Sequence, residues 1–435
     1  MLFEQYQPPE ETLRKEELKI PEFSELDLVR HFNTLSRKSV GVDTLFYPLG
    51  SCTMKYNPKC ADQAAANVDF LRTHPLSPKE LVAGNLQILD ELQKELLHIT
   101  GMEGCTLAPN AGAQGEFVGI QMILAYHRAR GETKRLEVLI PDHAHGTNPA
   151  TVKMAGLIPI TIASRADGDL DLEELQKHLS EKTAALMLTN PSTLGLFSPN
   201  ILRITEMVHQ AGGQLYYDGA NMNPILEIAR PGDMGFDVMH LNLHKTFATP
   251  HGGGGPGAGP VLCKAHLIPY IPSQIASFHG NFMVLLRAYL YIKLLGRAGL
   301  RRVAEKSVLN ANYLKEQLDA LFTVPYPQPC MHEFVLQADN YLEKGIRALD
   351  IAKRMLDYGI HAPTVYFPQD VKEALLIEPT ECESKETLDY FVQVMRKIVE
   401  EIKTDPTVVK TAPHTLSVTR LDEVRAARNL KLTDS

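Results

Sequence analysis

Two short stretches, QLYYDGA at residues 214–220 and DVMHLNLHK at residues 237–245, decide the fold class of this chain. Each contains an apolar run that is typical of a buried strand, and in each a charged side chain follows the run, Asp218 in the first and Lys245 in the second. Continuous apolar strands are typical of a parallel sheet that is covered on both faces. Because ligands of such sheets bind beyond the carboxyl ends of the strands, Asp218 and Lys245 are predicted to share one site.

The same alternation of apolar runs and helical patterns extends from about residue 95 to residue 265. Helices are predicted at GAQGEFVGIQMILAYHRARG, NPATVKMAGL, DLEELQKHL and ILRITEMVHQAG, and strands at LEVLIPD, IPITIAS and TAALMLTNP. This order predicts an α/β fold with right-handed crossovers and a mostly parallel central sheet. Long helices are predicted over residues 275 to 320, and mixed strands and helices follow them.

Four segments are expected from these patterns. Residues 1–65 are broken by prolines and are predicted to form an N-terminal arm, and residues 66–320 form the large α/β domain. Residues 321–405 are predicted to form a small α+β domain. Residues 406–435 show little periodicity and are predicted to form an extended C-terminal tail.

Charge and hydropathy exclude several classes of function. The net charge is −8 and the pI is about 6.1, which argues against binding to nucleic acid or to an anionic membrane surface. The most apolar long stretch, NFMVLLRAYLYIKLLGRAGL, carries Arg287, Lys293 and Arg297 and is predicted to be a buried amphipathic helix, not a membrane span.

The N-terminus and the cysteines point to a cytoplasmic protein. The first twenty residues, MLFEQYQPPEETLRKEELKI, contain no apolar core of a secretory signal. The six cysteines show no CxxC spacing, so they are interpreted as reduced thiols and not as a disulfide framework or a metal site. Cys52 is interpreted as a small buried apolar side chain, in preference to a regulatory thiol.

The charged strand ends match the needs of pyridoxal 5'-phosphate (PLP). A lysine such as Lys245 can form a Schiff base with the PLP aldehyde. An aspartate such as Asp218 can pair with the pyridinium nitrogen, which lets the ring accept electrons from a substrate carbon. An imidazole can stack on the ring, and DHAHGTNPA, after the strand LEVLIPD, offers His143 and His145.

A phosphate seat is predicted in APNAGAQGEF, residues 108–117. The small residues lie at the start of a predicted helix, where the backbone N–H groups of Gly112, Ala113 and Gln114 can bind the dianion with help from the helix dipole. Each of these features is common alone, and only their order along one sheet favours PLP. The glycine run GGGGPGAG fits no phosphate-binding fingerprint of a nucleotide-binding protein, because its prolines interrupt a following helix.

Longer motifs resemble a known family. The chain resembles the glycine decarboxylase P-proteins of the glycine cleavage system, specifically the PLP-carrying subunit of their two-subunit form. The resemblance implies the fold of aspartate-aminotransferase-like PLP enzymes (fold type I). The motifs that carry it are YPLGSCTMKYNPK (47–59), AHGTNPA (144–150), TNPSTLGLF (189–197), YYDGANMN (216–223), LNLHKTFATPHGGGGPG (241–257), GNFMVLLRAYLYIK (280–293), IEPTECESKETLD (377–389) and KTAPHT (410–415).

The resemblance also implies roles for the residues already singled out. Lys245 resembles the Schiff-base lysine, Asp218 the partner of the pyridinium nitrogen, and residues 112–114 the phosphate seat. Between the two histidines, His145 is favoured as the ring stacker because it lies inside AHGTNPA. His143 stands where a small residue is more usual in the family.

Further pocket residues are expected from the same resemblance. Asn190 and Thr193 are predicted to line the pocket, and His244 to contact phosphate or substrate. The group that binds the substrate carboxylate is left open. Arg354 is the arginine that the fold would suggest, although no local sequence feature supports it.

The implied reaction is the PLP-dependent decarboxylation of glycine, with transfer of the aminomethyl group to the lipoyl arm of H-protein. Since the chain resembles only the PLP-bearing half of the long P-proteins, the resemblance implies a separate first subunit and an α2β2 assembly. The arm and the tail are the expected contacts with that subunit. Gly252 to Gly255 either leave room for the lipoyl arm or a partner backbone, or shape a tight turn at a subunit interface.

Two alternatives stay open at this point. One is another fold-type-I amino-acid decarboxylase that releases a free amine. The other is a non-catalytic subunit with the PLP fold, which the presence of both Lys245 and Asp218 disfavours.

Overall fold

The computed structural model describes residues 9–17, 22–251, 257–276 and 278–430. The chain divides into two compact units, Met1–Gly41 and Val42–Ser435. Within the first unit, helix α1 (Glu25–Ser36) begins after Ser24, whose hydroxyl accepts a hydrogen bond from the Asp27 N–H. No residue of α1 is buried.

A seven-stranded sheet forms the centre of the second unit, with the strand order β1-β7-β6-β5-β4-β2-β3. Six strands run in one direction, and β7 alone of the described strands runs opposite to its two neighbours. The predicted mostly parallel sheet is therefore confirmed. The strands are β1 (Gly104–Thr106), β2 (Glu137–Pro141), β3 (Ile158–Ile162), β4 (Thr183–Leu188), β5 (Gln214–Gly219), β6 (Val238–Leu241) and β7 (Val261–Cys263).

The central strands are buried because helices cover both faces of the sheet. Every residue of β4, β5 and β6 is buried, which explains why their sequences are apolar without alternation. The helices of this region are α2 (Lys59–Ala65), α3 (Val68–Leu71), α4 (Ala83–Thr100), α5 (Gly112–Ala129), α6 (Thr147–Met154), α7 (Leu172–His178), α8 (Ile201–Gln210) and α9 (Leu243–Thr246).

One long helix, α10 (Phe282–Leu318), occupies the region predicted to contain long helices. It is kinked at Gly296, whose φ of 57° lies in the left-handed region that glycine adopts without a steric penalty. Its first half belongs to the same hydrophobic core as residues of the central sheet, and its second half contributes Ala311, Leu314 and Leu318 to a second hydrophobic core.

The small α+β region follows α10 as predicted. Its three-stranded antiparallel sheet has the order β8-β10-β9, and the second hydrophobic core lies between this sheet and its helices. The elements are β8 (Phe334–Gln337), α11 (Ala348–Asp357), β9 (Thr364–Val365), β10 (Ala374–Ile377) and α12 (Lys385–Thr404).

Residues 42–65 belong to the second compact unit, although the predicted arm extended to residue 65. The reason is that this segment pairs with the small sheet: Phe46 forms a bridge with Ile360, and Leu49 forms one with Ile377. Phe46 is buried against the ring of Phe391.

The stretch predicted to be an extended tail contains two short helices, α13 (Pro406–Lys410) and α14 (Glu423–Arg428). Asp405 and Asp422 cap their N-termini through side-chain hydrogen bonds. Helices this short carry too little periodicity to be seen in the sequence. None of the helices in the described part of the chain combines the length and hydropathy that a membrane span requires.

Candidate active site

A cavity of about 510 Å³ lies beyond the carboxyl ends of β5 and β6. Asp218 and Lys245 both line it, as predicted from their positions at strand ends. Residues from several other regions complete its wall, among them the start of α5, the loop of residues 50–52, the stretches after β2 and β4, and residues 364 and 367 of the small α+β region. The volume is in the range of pockets that enclose a small cofactor.

Asp218 is held as a buried carboxylate. Its Oδ2 accepts a hydrogen bond from Asn148 Nδ2 at 3.0 Å, and its Oδ1 accepts one from the N–H of Ala220 at 3.1 Å. His240 Nε2 lies 3.3 Å from Oδ1. Burial opposes ionisation, but His240, Asn148 and Lys245 together outweigh it and lower the pKa of Asp218. The side chain is thus suited to hold a proton on a partner nitrogen.

Lys245 belongs to the single-turn helix α9, which follows β6 directly. Its side chain is half-buried in the cavity. The charge of Lys245 contributes to the lowered pKa of Asp218 and of His251, which places all three groups in one electrostatic neighbourhood. A lysine in such a cavity can react with an aldehyde once its ammonium loses a proton.

The N-terminus of α5, where the sequence predicts a phosphate seat, lies at the wall of the cavity. No side chain caps this helix, so its first backbone N–H groups remain available to an anion. A Cβ atom at Gly112 would lie 2.0 Å from Asn242 Oδ1, so a larger residue there would force the Asn242 side chain to move. Asn242 Oδ1 itself is buried and has no hydrogen-bond partner among the described residues. Gly112 and Ala113 line the cavity, whereas the Gln114 side chain turns away.

The side chain of Gln114 forms hydrogen bonds with the backbone near the start of α5. Its Oε1 accepts a hydrogen bond from the N–H of Asn110 at 2.7 Å, and its Nε2 donates to the carbonyl of Ile275 at 3.4 Å. Only its peptide N–H, in the first turn of α5, is in the place that the sequence predicts.

The two candidate histidines are in different surroundings. His145 lines the cavity, is exposed, and shares a 2.8 Å hydrogen bond with Thr147 Oγ1. His143 lines a neighbouring cavity of about 320 Å³, and its Nδ1 is hydrogen-bonded to Ser164 Oγ at 2.8 Å. The structure therefore places His145 in the cavity with Lys245 and places His143 outside it.

Two other predicted residues, Thr193 and His244, lie on the wall of the 510 Å³ cavity. Thr193 lines the cavity and donates a 2.6 Å hydrogen bond to the His143 carbonyl. His244 also lines the cavity, and its buried Nδ1 has no hydrogen-bond partner in the described part of the chain. Burial lowers the pKa of His244 to about 3, with added repulsion from His251 and Lys245, so its ring is neutral.

Neither Asn190 nor Arg354 lines the 510 Å³ cavity. Asn190 lines the neighbouring 320 Å³ cavity, and its Oδ1 accepts a hydrogen bond from the N–H of Ser198. Arg354 is bound to Asp357 at 2.9 Å and Glu401 at 2.8 Å and does not line the 510 Å³ cavity. Both side chains are already occupied by structural partners.

Two buried residues beside Asp218 were not predicted from the sequence. Glu116 in α5 accepts hydrogen bonds from Thr147 Oγ1 at 2.7 Å and from Asn148 Nδ2 at 3.2 Å, and Asn148 also binds Asp218. His240, in β6, is the cross-strand neighbour of Asp218. Each is an ionisable residue inside an otherwise apolar helix or strand, and this signal could have identified both.

The comparisons with known proteins agree with this geometry. A probable glycine dehydrogenase (decarboxylating) subunit 2 from Bacillus thuringiensis (strain Al Hakam) is 52% identical to this chain over 437 residues, covering 96% of this chain and 89% of the relative. This chain belongs to the glycine dehydrogenase (decarboxylating) subunit 2 family. Another member of the subunit 2 family, from Staphylococcus haemolyticus (strain JCSC1435), has the same identity and coverage. The family model for the C-terminal domain of glycine dehydrogenase matches residues 303–415.

Solved structures show that this member of the subunit 2 family has fold type I. The crystal structure of glycine decarboxylase (P-protein) of the glycine cleavage system, in inhibitor-bound form, has a TM-score of 0.77 at 21% identity, over 91% of this chain and 94% of that one. Glutamate decarboxylase from Lactobacillus brevis has a TM-score of 0.71 at 14% identity, over 90% and 95%. The predicted fold class is confirmed.

The cavity of this subunit 2 family member fits PLP on its own geometry. An uncapped helix N-terminus, with a glycine where a Cβ atom would collide, is suited to a phosphate. The unpartnered Asn242 Oδ1 and His244 Nδ1 are polar atoms that a bound group can satisfy. A buried aspartate with a lowered pKa and a lysine in the same cavity supply the two remaining contacts.

Proposed function

We propose that this chain decarboxylates glycine with PLP and passes the aminomethyl group to the lipoyl arm of H-protein, within the glycine cleavage system. The observation that supports this most strongly is that Lys245, Asp218 and the uncapped start of α5 surround one cavity. In this proposal Lys245 binds the aldehyde and Asp218 pairs with the ring nitrogen. Gly112, Ala113 and the Gln114 N–H receive the phosphate.

When bound, PLP supplies an electron-accepting ring that stabilises the electron pair left on carbon as CO2 departs. The chain's own residues prepare that ring. Asp218, ionised and hydrogen-bonded by Asn148, holds a proton on the ring nitrogen. His145, which lines the cavity, would pack against the ring, and Thr193 and His244 would line its surroundings. Asn190 is excluded from this set because it lies in the neighbouring cavity.

The cofactor assignment is tested by reducing the holoprotein with borohydride and mapping the pyridoxyl-labelled peptide. We expect a single label on Lys245, and a label on another lysine would refute the assignment. Lys245→Ala should abolish the visible absorbance of the lysine-bound cofactor. Lys177→Ala is the matched control, because Lys177 forms an exposed ion pair with Glu174, and it should keep the absorbance.

The substrate assignment is tested by exchange of labelled CO2 into glycine. We expect exchange with glycine, dependence on lipoylated H-protein, and loss of exchange in Asp218→Asn with little loss of stability. Release of free methylamine without any need for H-protein would instead favour a simple amino-acid decarboxylase. Bound PLP without either reaction would favour a non-catalytic subunit.

We also propose a separate first subunit as partner, in an α2β2 assembly in the cytoplasm. The name of the relatives, subunit 2, and the exposed apolar side chains of the arm and tail support it. Phe23 and Phe32 beside and within α1 are 64% and 60% exposed, and Leu421 and Leu430 in the tail are 67% and 73% exposed. All six cysteines are free thiols, as in a reducing compartment.

The partner proposal is tested by mixing the two subunits and measuring the mass of the complex. The double variant Phe23→Ser/Phe32→Ser should weaken association at least tenfold. Val68→Ser is the matched control, because Val68 is also exposed but lies outside the arm and the tail. Unchanged association in the double variant would remove α1 from the contact.

We propose the domain division that the sequence suggests: an arm at 1–65, a large PLP domain at 66–320, a small domain at 321–405 and a tail at 406–435.

The glycine run at Gly252 to Gly255 lies outside the described residues. Its suggested roles, as room for the lipoyl arm or as a turn at a subunit interface, stay predictions.

A further inference from the structure

Glu333 and Glu378 are two carboxyl groups that face each other at one end of the small sheet. Phe334 of β8 is paired with Ile377 of β10 in the antiparallel register, so the next residues in each direction are opposite one another. Both glutamates are 0% exposed. One oxygen of each carboxyl group and one ring nitrogen of His332 all lie within 4.8 Å of one another. Like charges directly opposite each other in a dry site repel strongly.

Each glutamate holds one strained residue of the loop that lines the cavity. The Ser51 N–H donates to Glu333 Oε2 at 2.6 Å, and the Thr53 N–H donates to Glu378 Oε2 at 2.9 Å. Ser51 and Thr53 have φ values of 63° and 52°, and a non-glycine residue in this region costs about 1–3 kcal/mol. Hydrogen bonds to a charged carboxylate are strong enough to offset such strain.

The same pair reaches the segment that follows Asp218. Asn221 Nδ2 donates to Glu333 Oε1 at 3.4 Å, and Asn223 Nδ2 donates to Glu378 Oε1 at 3.4 Å. The pair thus joins the cavity loop, the small sheet and the strand end that carries Asp218.

The charged groups around the pair belong to several elements. Lys245 is near enough to lower the pKa of both glutamates, and Lys55 does the same for Glu378. Burial lowers the pKa of His332 to about 3, so its ring is neutral. Burial also raises the pKa of the nearby Cys52 thiol, which stays protonated.

We propose that Glu333 and Glu378 share a single proton and act as positioning residues for Lys245, with the one remaining negative charge balancing the Lys245 ammonium. Burial and repulsion from Glu378 raise the pKa of Glu333 well above its usual range, and burial raises that of Glu378 to about 7. The inference rests on the proposed function only in taking Lys245 as the reactive amine.

The alternative is a bound cation. Among the described residues, neither buried ring nitrogen of His332 has a hydrogen-bond partner, and Nε2 lies 3.4 Å from Glu333 Oε1. Two observations favour the proton. The oxygens of both carboxylates already accept hydrogen bonds from fixed donors on the loop and on the segment after Asp218. In addition, a divalent cation would add two positive charges near the Lys245 ammonium, whereas the shared proton adds one.

The shared proton is tested first by infrared spectroscopy of the apoprotein at about pH 8. A protonated carboxyl band should be present and should be lost in both Glu333→Gln and Glu378→Gln, because the remaining carboxyl then ionises. Glu383→Gln is the matched control: Glu383 also has a pKa raised by burial, to about 7, but is not coupled to Lys245, and this variant should keep the band. Absence of the band in the native chain would overturn the proposal.

The effect on Lys245 is tested by the rate at which acetic anhydride labels it at about pH 8, again without cofactor. In Glu333→Gln/Glu378→Gln, which removes the balancing charge, Lys245 should be labelled about tenfold faster or more. Single variants keep one carboxylate and should keep the native rate. A purely structural role would lower stability and leave the labelling rate of the folded double variant unchanged, which would refute the proposal.

Two further outcomes are decisive. If the double variant does not fold, the single variants and their carboxyl band decide the case. If the native chain retains one Mn²⁺ or Zn²⁺ after dialysis and His332→Gln loses it, the site binds a cation and the shared proton is wrong. All these measurements use the apoprotein, so they test the shared proton separately from glycine decarboxylation. Either proposal can be refuted while the other stands.

Discussion

Lys55 donates a hydrogen bond from its Nζ to the backbone carbonyl of Thr246, the residue that follows Lys245, over 2.8 Å. The same ammonium is paired with Glu381 at 2.7 Å and donates to Tyr291 Oη at 3.2 Å. Lys55 and Glu381 are both buried. A lysine of the N-terminal loop therefore fixes the main chain beside the proposed reactive lysine.

Replacing Lys55 with methionine should lower the free energy of unfolding by about 3–5 kcal/mol, because Glu381 is left buried without its counter-charge. Urea unfolding measures the change. Lys94→Met is the control, since Lys94 and Asp90 form an exposed ion pair, and its effect should stay within about 0.5 kcal/mol. Equal losses in the two variants would contradict the buried network.

Gly112→Ala should weaken PLP binding by about tenfold or more, a cost of about 1.4 kcal/mol, because the new methyl group displaces Asn242 from the phosphate seat. Titration of the apoprotein with PLP, followed by absorbance, measures the affinity. Gly84→Ala is the matched control in α4: its Cβ meets nothing within 4 Å, and it should stabilise the helix by about 0.5–1 kcal/mol without changing PLP affinity.

His145→Ala should weaken PLP binding by about two- to tenfold, the range expected for one lost aromatic stacking contact. His143→Ala should leave PLP affinity unchanged, since the His143 ring is bonded to Ser164 and lies in the neighbouring cavity. The same PLP titration compares them. A larger loss in His143→Ala would reverse the assignment.

Glu383→Gln should flatten the dependence of stability on pH. Burial raises the pKa of Glu383 from its ordinary value of 4.5 to about 7. Between these values the folded chain holds a proton that the unfolded chain has lost, so stability falls as pH rises through this window. We expect Tm measured at about pH 7.5 and about pH 4.5 to differ less in the variant. An unchanged difference would show that Glu383 does not titrate there.

The sequence was sufficient for the five strands β2 to β6 and for the charged strand ends, whereas β1 and the antiparallel β7, each three residues long, were not predicted. Apolar runs at 214–219 and 238–241 are strands because residues buried on both faces of a sheet show no alternation. Asp218 and Lys245 then meet because parallel neighbouring strands end at the same edge. Helices as short as α13 were not predicted, because one or two turns contain too few residues to show a hydrophobic period.

The choice between alternatives needed the folded chain. Motif membership favoured His145, but only the course of the chain after β2 shows that His143 turns to Ser164 and the neighbouring cavity. Residue type and position in the chain made Asn190 and Arg354 reasonable candidates for the pocket. In the folded chain, Asn190 binds the N–H of Ser198 and Arg354 binds Glu401, both away from the 510 Å³ cavity.

The amino-acid sequence by itself determined the order of strands and helices, the amine and the carboxylate at the strand ends, and the family. These depend on neighbours within a few residues or on motifs that are continuous along the chain. Only the tertiary structure decided which carboxyls meet. Ser51 and Thr53 bind glutamates 282 and 325 residues away, and no local period encodes a contact between such distant positions. The pairing of Glu333 with Glu378, and of Lys55 with Glu381, exists only after two sheets and a loop have packed together, which is when burial changes their protonation.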